Sequence, residues 1–171
     1  GLVDGHLYSV PLTFETMLLY YNQTLFEQYD LPLPKTRADI EAACQKAEEV
    51  GLICFANGTG GRASRGEWWI GWHMNAGAGP EKVYQALKGE IPFTSPEFAQ
   101  AIDLNKEWIL KGWYNGTFDR YFTLDHDENW ALLGSDRALM RVSGSWDLQR
   151  MLNFCDADCD WLPAPVLNPN V

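Results

Sequence analysis

Carboxylates are the first residues to weigh for chemistry. Hydrolysis of a glycoside needs two acids facing each other across one sugar ring. Asp125, Asp127 and Glu128 cluster, but near neighbours in sequence usually share a solvated surface. Glu15 is more informative: it lies between Phe14 and Thr16, at the mouth of the apolar run Thr16–Tyr21. An acid there either faces solvent or accepts hydrogen bonds from ligand hydroxyls. No acid pair shares an obvious turn.

Other motifs fall away on spacing. Gly58-Thr59-Gly60-Gly61-Arg62-Ala63 fits G-x-G-x-x-A, but the loop runs on through Gly66 where a helix should open on a pyrophosphate. Asp156-x-Asp158-x-Asp160 starts like a calcium loop, yet Trp161 and Leu167 occupy the places of the required Gly and Glu. His6, His73 and His126 are scattered, and C-x9-C and C-x3-C are not zinc spacings, so no metal or other cofactor is expected. Cys44, Cys54, Cys155 and Cys159 allow three disulfide pairings; 44 with 54 and 155 with 159 are local, and free buried thiols are an equal alternative for Cys44 and Cys54. Asn22, Asn57 and Asn115 each open a glycosylation sequon.

Aromatic residues are in excess: 8 Trp, 7 Tyr and 8 Phe make 13% of the 171 residues. They could fill a core or form a surface that stacks the flat apolar faces of sugar rings. The 23 acidic and 13 basic residues give a net charge of −10. That balance argues against nucleic acid and anionic membranes, which need clustered Lys and Arg. No apolar run is long enough to cross a bilayer.

The positioning elements follow an α/β rhythm. Residues 5–12 read as a short strand turning at Pro11, 16–21 as a buried strand and 22–29 as a short helix. Thr36 and Asp39 open a helix with the apolar stripe Ile40, Ala43, Cys44, Ala47 and Val50, and Gly51 closes it. Residues 52–56 are a strand and 57–66 a loop. The segment 67–75 is a helix broken by Ala76-Gly-Ala-Gly-Pro80, and 81–87 is another. Ser95 and Pro96 start a helix to Lys111 that buries Phe98, Ala101, Ile102, Leu104 or Asn105, and Ile109. Residues 113–124 read as loop, 128–133 as helix, 137–144 as strand, 147–153 as helix and 159–166 as extended. A mixed, mostly parallel central sheet with helices on both faces is expected.

One long segment resembles a known family. Asp4–Phe26, DGHLYSVPLTFETMLLYYNQTLF, is similar to the hinge region of the extracellular solute-binding proteins of ABC importers, in their sugar-binding, maltodextrin-binding-like branch. PKTRADIEAACQKAEEVGL, IPFTSPEFAQAIDL, RALMRVSGSWDL and CDWLPAPV resemble further family segments, in the family's order. Arg37 stands where the family usually has Trp, and the four cysteines are not a family feature. The resemblance implies a three-layer α/β/α sandwich, one lobe of a periplasmic-binding-protein type II fold. Residues 1–171 would be a single domain, the C-terminal lobe of a two-lobed protein cut near the hinge crossovers, with both chain ends on the hinge side.

It also implies a non-enzymatic, monomeric protein outside the cytoplasm, in the periplasm or as a cell-surface lipoprotein. That protein captures a sugar in a cleft that closes about a hinge, and passes it to ABC permease subunits. By the same resemblance Glu15, Trp146 and Trp68 or Trp69 line the ligand site, with Trp146 stacking a ring. The alternatives are a carbohydrate-active enzyme domain and a binding protein for a non-sugar solute such as a polyol.

Overall fold

The computed structural model describes residues 1–62 and 66–168. Ala63 of the glycine-rich motif, Ser64 and Arg65 of its loop, and the chain end at 169–171 lie outside the described residues.

The chain enters through a small hairpin, β1 (Leu2–Val3) paired with β2 (His6–Leu7). Asp4 and Gly5 both take positive φ, the geometry an Asp-Gly hairpin turn requires. The strand expected over 5–12 is therefore this hairpin, followed by irregular chain. The whole arm to Thr16 is exposed, including Tyr8 at 74%, Leu12 at 95% and Phe14 at 91%.

Next come β3 (Met17–Asn22), α1 (Gln23–Gln28), α2 (Arg37–Val50) and β4 (Ile53–Phe55). After the glycine-rich loop follow α3 (Gly66–Ala78), α4 (Pro80–Leu87), α5 (Pro96–Leu110), α6 (Phe118–Thr123) and α7 (His126–Gly134). The chain then forms β5 (Ala138–Gly144), a 3-10 turn (Ser145–Asp147), α8 (Leu148–Cys155) and β6 (Cys159–Pro163).

The ends of α2 form as their residues dictate. Thr36 and Asp39 make a reciprocal capping box, and Gly51 closes the helix in the left-handed region at φ 74°. Ile40, Ala43, Cys44 and Ala47 are buried.

The central sheet has four strands in the order β4-β5-β3-β6. β4 pairs parallel to β5, while β3 is antiparallel to both β5 and β6. The mostly parallel expectation needs correction: three strands share a direction, but β3 inserts between two of them, so antiparallel pairing prevails.

Alternation along β3 separates two cores. Leu19 and Tyr21 face the helices α1, α2, α3 and α5 with Phe55, Trp69, Trp72 and Trp108. Leu18 and Tyr20 face α7 and α8 with Trp130, Leu133 and Met151. Helices thus cover both faces, and the three-layer α/β/α sandwich stands. Cys44 is bonded to Cys54, tying α2 to β4, and Cys155 to Cys159, tying α8 to β6.

Three local expectations are overturned. Ala76-Gly77-Ala78 continues α3, because Gly77 lets α5 approach: a methyl on it would meet Ala101 Cβ at 3.2 Å. Ile102 is exposed and Trp108 takes the core position. Residues 118–123 are a helix, capped by the Thr117 side chain accepting from Arg120 N–H. The expected start of α5 holds, with Ser95 as N-cap and Pro96 as first residue, though the Ser95 side chain makes no cap bond.

Candidate functional site

The carboxyl ends of β4, β5 and β6 and the entry to β3 meet along one edge of the sheet. In open α/β sheets ligands bind outside this edge.

The turn after β5 carries Trp146. Ser145 N–H donates to Thr16 O at 2.9 Å, and Thr16 N–H donates to Ser145 Oγ at 3.2 Å. These bonds extend the β3–β5 ladder by one pair. They place Glu15, exposed, on the same rim as Trp146.

Trp146 is 39% exposed, too open for a core residue. Trp68, in the first turn of α3, meets it edge to face, with ring centroids 5.2 Å apart and an interplanar angle of 67°. The two indoles form a half-open aromatic corner. Trp69 meets Trp68 edge-on, with ring centroids 5.9 Å apart at 84°, but is fully buried and belongs to the core. Of the two, Trp68 is the partly exposed ring and Trp69 the buried one, since successive residues of a helix point about 100° apart. Across the chain, Trp69, Trp72, Trp108, Trp113 and Trp130 are core residues, which accounts for most of the Trp excess.

A polar network supports the corner from below. Arg141, fully buried on β5, donates to Ala56 O and to His126 Nδ1, the latter at 2.8 Å, and lies 4.9 Å from the Trp130 ring centroid. His126 Nε2 lies 3.1 Å and 3.2 Å from the two Asp147 carboxylate oxygens. Ser143 Oγ donates to Asp147, and Arg150 Nε approaches it at 3.3 Å. Burial pushes the Asp147 carboxyl up, but hydrogen bonds from His126 and Ser143 and the nearby positive charge outweigh it and hold it below the usual range. Tyr20 OH donates to Gly144 O at 2.8 Å, and burial raises its phenol well above the ordinary value.

Sequence reasoning missed His126, Arg141 and Asp147. One signal was available: Arg141 interrupts Ala-Leu-Met-Val in a strand otherwise suited to full burial, and a buried cation requires partners.

The rejected motifs have structural uses. Asn57, after β4, clamps β5 with two bonds: its Nδ2 donates to Val142 O and its Oδ1 accepts from Val142 N–H, both at 2.9 Å. Thr59 N–H donates to Tyr121 O and Gly60 N–H to Leu124 O, so those loop donors serve the fold. The sequon residues Asn22, Asn57 and Asn115 are all fully buried. Asp125 and Glu128 form the capping box of α7, and Asp127 pairs with Arg150. Among the described residues no acidic, His or Cys cluster is arranged to hold a metal ion, and no helix is long and apolar enough to cross a membrane. A groove of about 690 Å³ lies elsewhere, between the start of α2, α5 and Val166–Asn168, and contains no rim residue.

An open α/β sheet with an aromatic corner on its carboxyl edge has the architecture of a small-molecule binder. The model of the family described as bacterial extracellular solute-binding protein matches residues 1–160, and the chain belongs to that family. It is 26% identical over 170 residues to the maltodextrin-binding protein MdxE of Bacillus subtilis, covering 96% of this chain and 38% of that protein. It is 30% identical over 112 residues to the sn-glycerol-3-phosphate-binding periplasmic protein UgpB of Shigella dysenteriae, covering 63% and 25% respectively.

Among solved structures, a chitin oligosaccharide binding protein superposes with a TM-score of 0.79 at 20% identity, covering 97% of this chain and 41% of that one. Maltose-bound MalE3 of T. maritima gives 0.70 at 19% identity, covering 96% and 42%. The chain thus spans about two fifths of the length of these solved relatives, which share its α/β fold.

Proposed function

We propose that this chain is the C-terminal lobe of a two-lobed extracytoplasmic receptor that captures a sugar and delivers it to an ABC importer in the membrane. The observation that carries the reading is the Trp146–Trp68 corner on the carboxyl rim, which also carries Glu15. An indole covers the apolar face of a sugar, and a carboxylate accepts from its hydroxyls. The exposed apolar arm around Tyr8, Leu12 and Phe14 supports a second lobe, because such a run in water is costly unless something covers it. The two disulfides suit an oxidising compartment.

The likeness to a glycerol-phosphate-binding protein raises a phosphorylated solute as a second candidate. The rim argues against it: Glu15 and Asp147 put negative charge on the Trp146 side, and Arg141 is fully buried and bonded to Ala56 O and His126 Nδ1. A neutral carbohydrate or polyol fits better. Catalysis has no support from the acids first considered, since Asp125, Asp127 and Glu128 serve a helix cap and a surface pair. We also read the protein as monomeric, as the resemblance implies, and as without nucleic-acid partners on its net charge of −10.

The test is calorimetry and ligand-observed NMR with maltotriose and chitobiose on this chain, its Trp146→Ala variant and a two-lobed parent. One wall of a cleft forfeits several kcal/mol, and each ~1.4 kcal/mol is tenfold in affinity. A micromolar parent should therefore fall to millimolar or weaker here, and Trp146→Ala should remove what remains. Binding by this chain as tight as the parent's would overturn the single-lobe reading.

A further inference from the structure

His126 touches one ring of the aromatic corner and is bonded to the residue that follows the other. Its ring stands edge-on to Trp68, with centroids 6.0 Å apart at 80°. Its Nε2 is bonded to Asp147, the residue next to Trp146. The side chain is 13% exposed, so its position is set by these partners.

The partners also fix its protonation pattern. A guanidinium has only donors, so the Nδ1 facing Arg141 at 2.8 Å must be the bare, accepting nitrogen. A carboxylate that already accepts from Ser143 and is paired with Arg150 has no proton to give, so Nε2 carries the hydrogen and donates to Asp147. We propose that His126 is a positioning residue for the Trp68–Trp146 corner: a neutral, Nε2-protonated imidazole wedged between Arg141 and Asp147, whose protonation releases the two indoles.

The charged groups around the ring are few. β5 contributes Arg141, the 3-10 turn contributes Asp147, and α8 contributes Arg150 through Asp147. From its own helix, Asp127 is paired with Arg150, and Glu128 is held in the capping box with Asp125. From α3 the neighbour is the uncharged Trp68.

A second proton must go on Nδ1, where it meets a guanidinium N–H head-on. Attraction to Asp147 offsets part of that repulsion but does not restore the lost acceptor. Arg141 cannot retreat, being fully buried, bonded to Ala56 O and seated against Trp130. His126, first residue of α7 and near the surface, is the group that moves, and Trp68 loses its edge contact with it. The role matters for ligand capture only if the corner is the sugar surface, as proposed above; the device itself stands or falls without ligand.

The test is therefore made without sugar. Long-range proton–nitrogen NMR of the His126 ring near neutral pH should show the Nε2–H tautomer. On acidification, the indole N–H cross-peaks of Trp68 and Trp146 should shift with the same midpoint as the His126 ring. In His126→Gln, which has an acceptor and a donor but no titration, both peaks should stay still over that range. An Nδ1–H tautomer, or indole peaks indifferent to His126 protonation in the wild-type chain, overturns the proposal whether or not the variant folds. A parallel maltotriose titration keeps the two readings apart. If the indoles follow His126 but Trp146→Ala leaves sugar binding intact, the device holds and the sugar surface lies elsewhere.

Discussion

The Trp146 indole lies directly across Gly144: a methyl built on that glycine would come within 2.0–2.2 Å of the six-membered ring. Gly144 has φ −91°, so its backbone is open to any residue and the requirement is space alone. Gly144→Ala should therefore push the half-exposed indole outward into solvent, separating it from Trp68 at a stability cost under about 1 kcal/mol. Denaturant unfolding measures the cost. Loss of the Trp68–Trp146 cross-relaxation in NMR measures the displacement. A variant that keeps this contact would show that the ring does not depend on the glycine.

Asn57→Ala should destabilise by about 2–3 kcal/mol, because it removes two buried bonds to Val142 and strands the N–H and C=O they satisfied. Thermal unfolding checks this, with an exposed control such as Gln149→Ala expected within about 0.5 kcal/mol of wild type.

Acid should unfold the chain partly through His73. Burial, with a smaller push from Arg37, lowers its value from 6.5 to about 4, against the opposing hydrogen bond to Trp69 O at 2.8 Å. The unfolded chain takes up a proton below 6.5 that the folded chain refuses until about 4. Stability from this residue is thus whole above 6.5 and is lost as pH falls through that window, by about 3 kcal/mol in all. His73→Gln should flatten the profile between those limits, read by urea unfolding at several pH values.

Intact mass before and after reduction should differ by four hydrogens for the two disulfides. Loop closure makes the Cys44–Cys54 bond worth about 3 kcal/mol and the Cys155–Cys159 bond about 2 kcal/mol. Paired Cys→Ala variants should lose stability in that order under urea.

Much of this was legible from local rules. Thr36, Asp39 and Gly51 announced α2 because capping depends on residues within one turn. Helix α6 escaped because only Tyr121 of its six residues is buried, leaving no apolar stripe to read. The insertion of β3 between β5 and β6 escaped because strand neighbours are chosen by long-range pairing, between residues more than a hundred positions apart. The candidate site divides in the same way. Trp146 and Glu15 were proposed through motif likeness, and the buried Trp69 is told from the partly exposed Trp68 only by helix phase. The bond from His126 to Asp147 spans 21 residues and joins two elements that no periodicity links.

The placement of β3 has a mechanical consequence. The exposed arm feeds into a strand held by an antiparallel ladder on each side. A pull arriving through the arm acts along the strand axis, so it loads both ladders in shear, many bonds at once. The same pull on an edge strand such as β4 would meet a ladder on one side alone. The arm is thus anchored in a strand held on both sides, where a pull along the strand is resisted by two ladders rather than one.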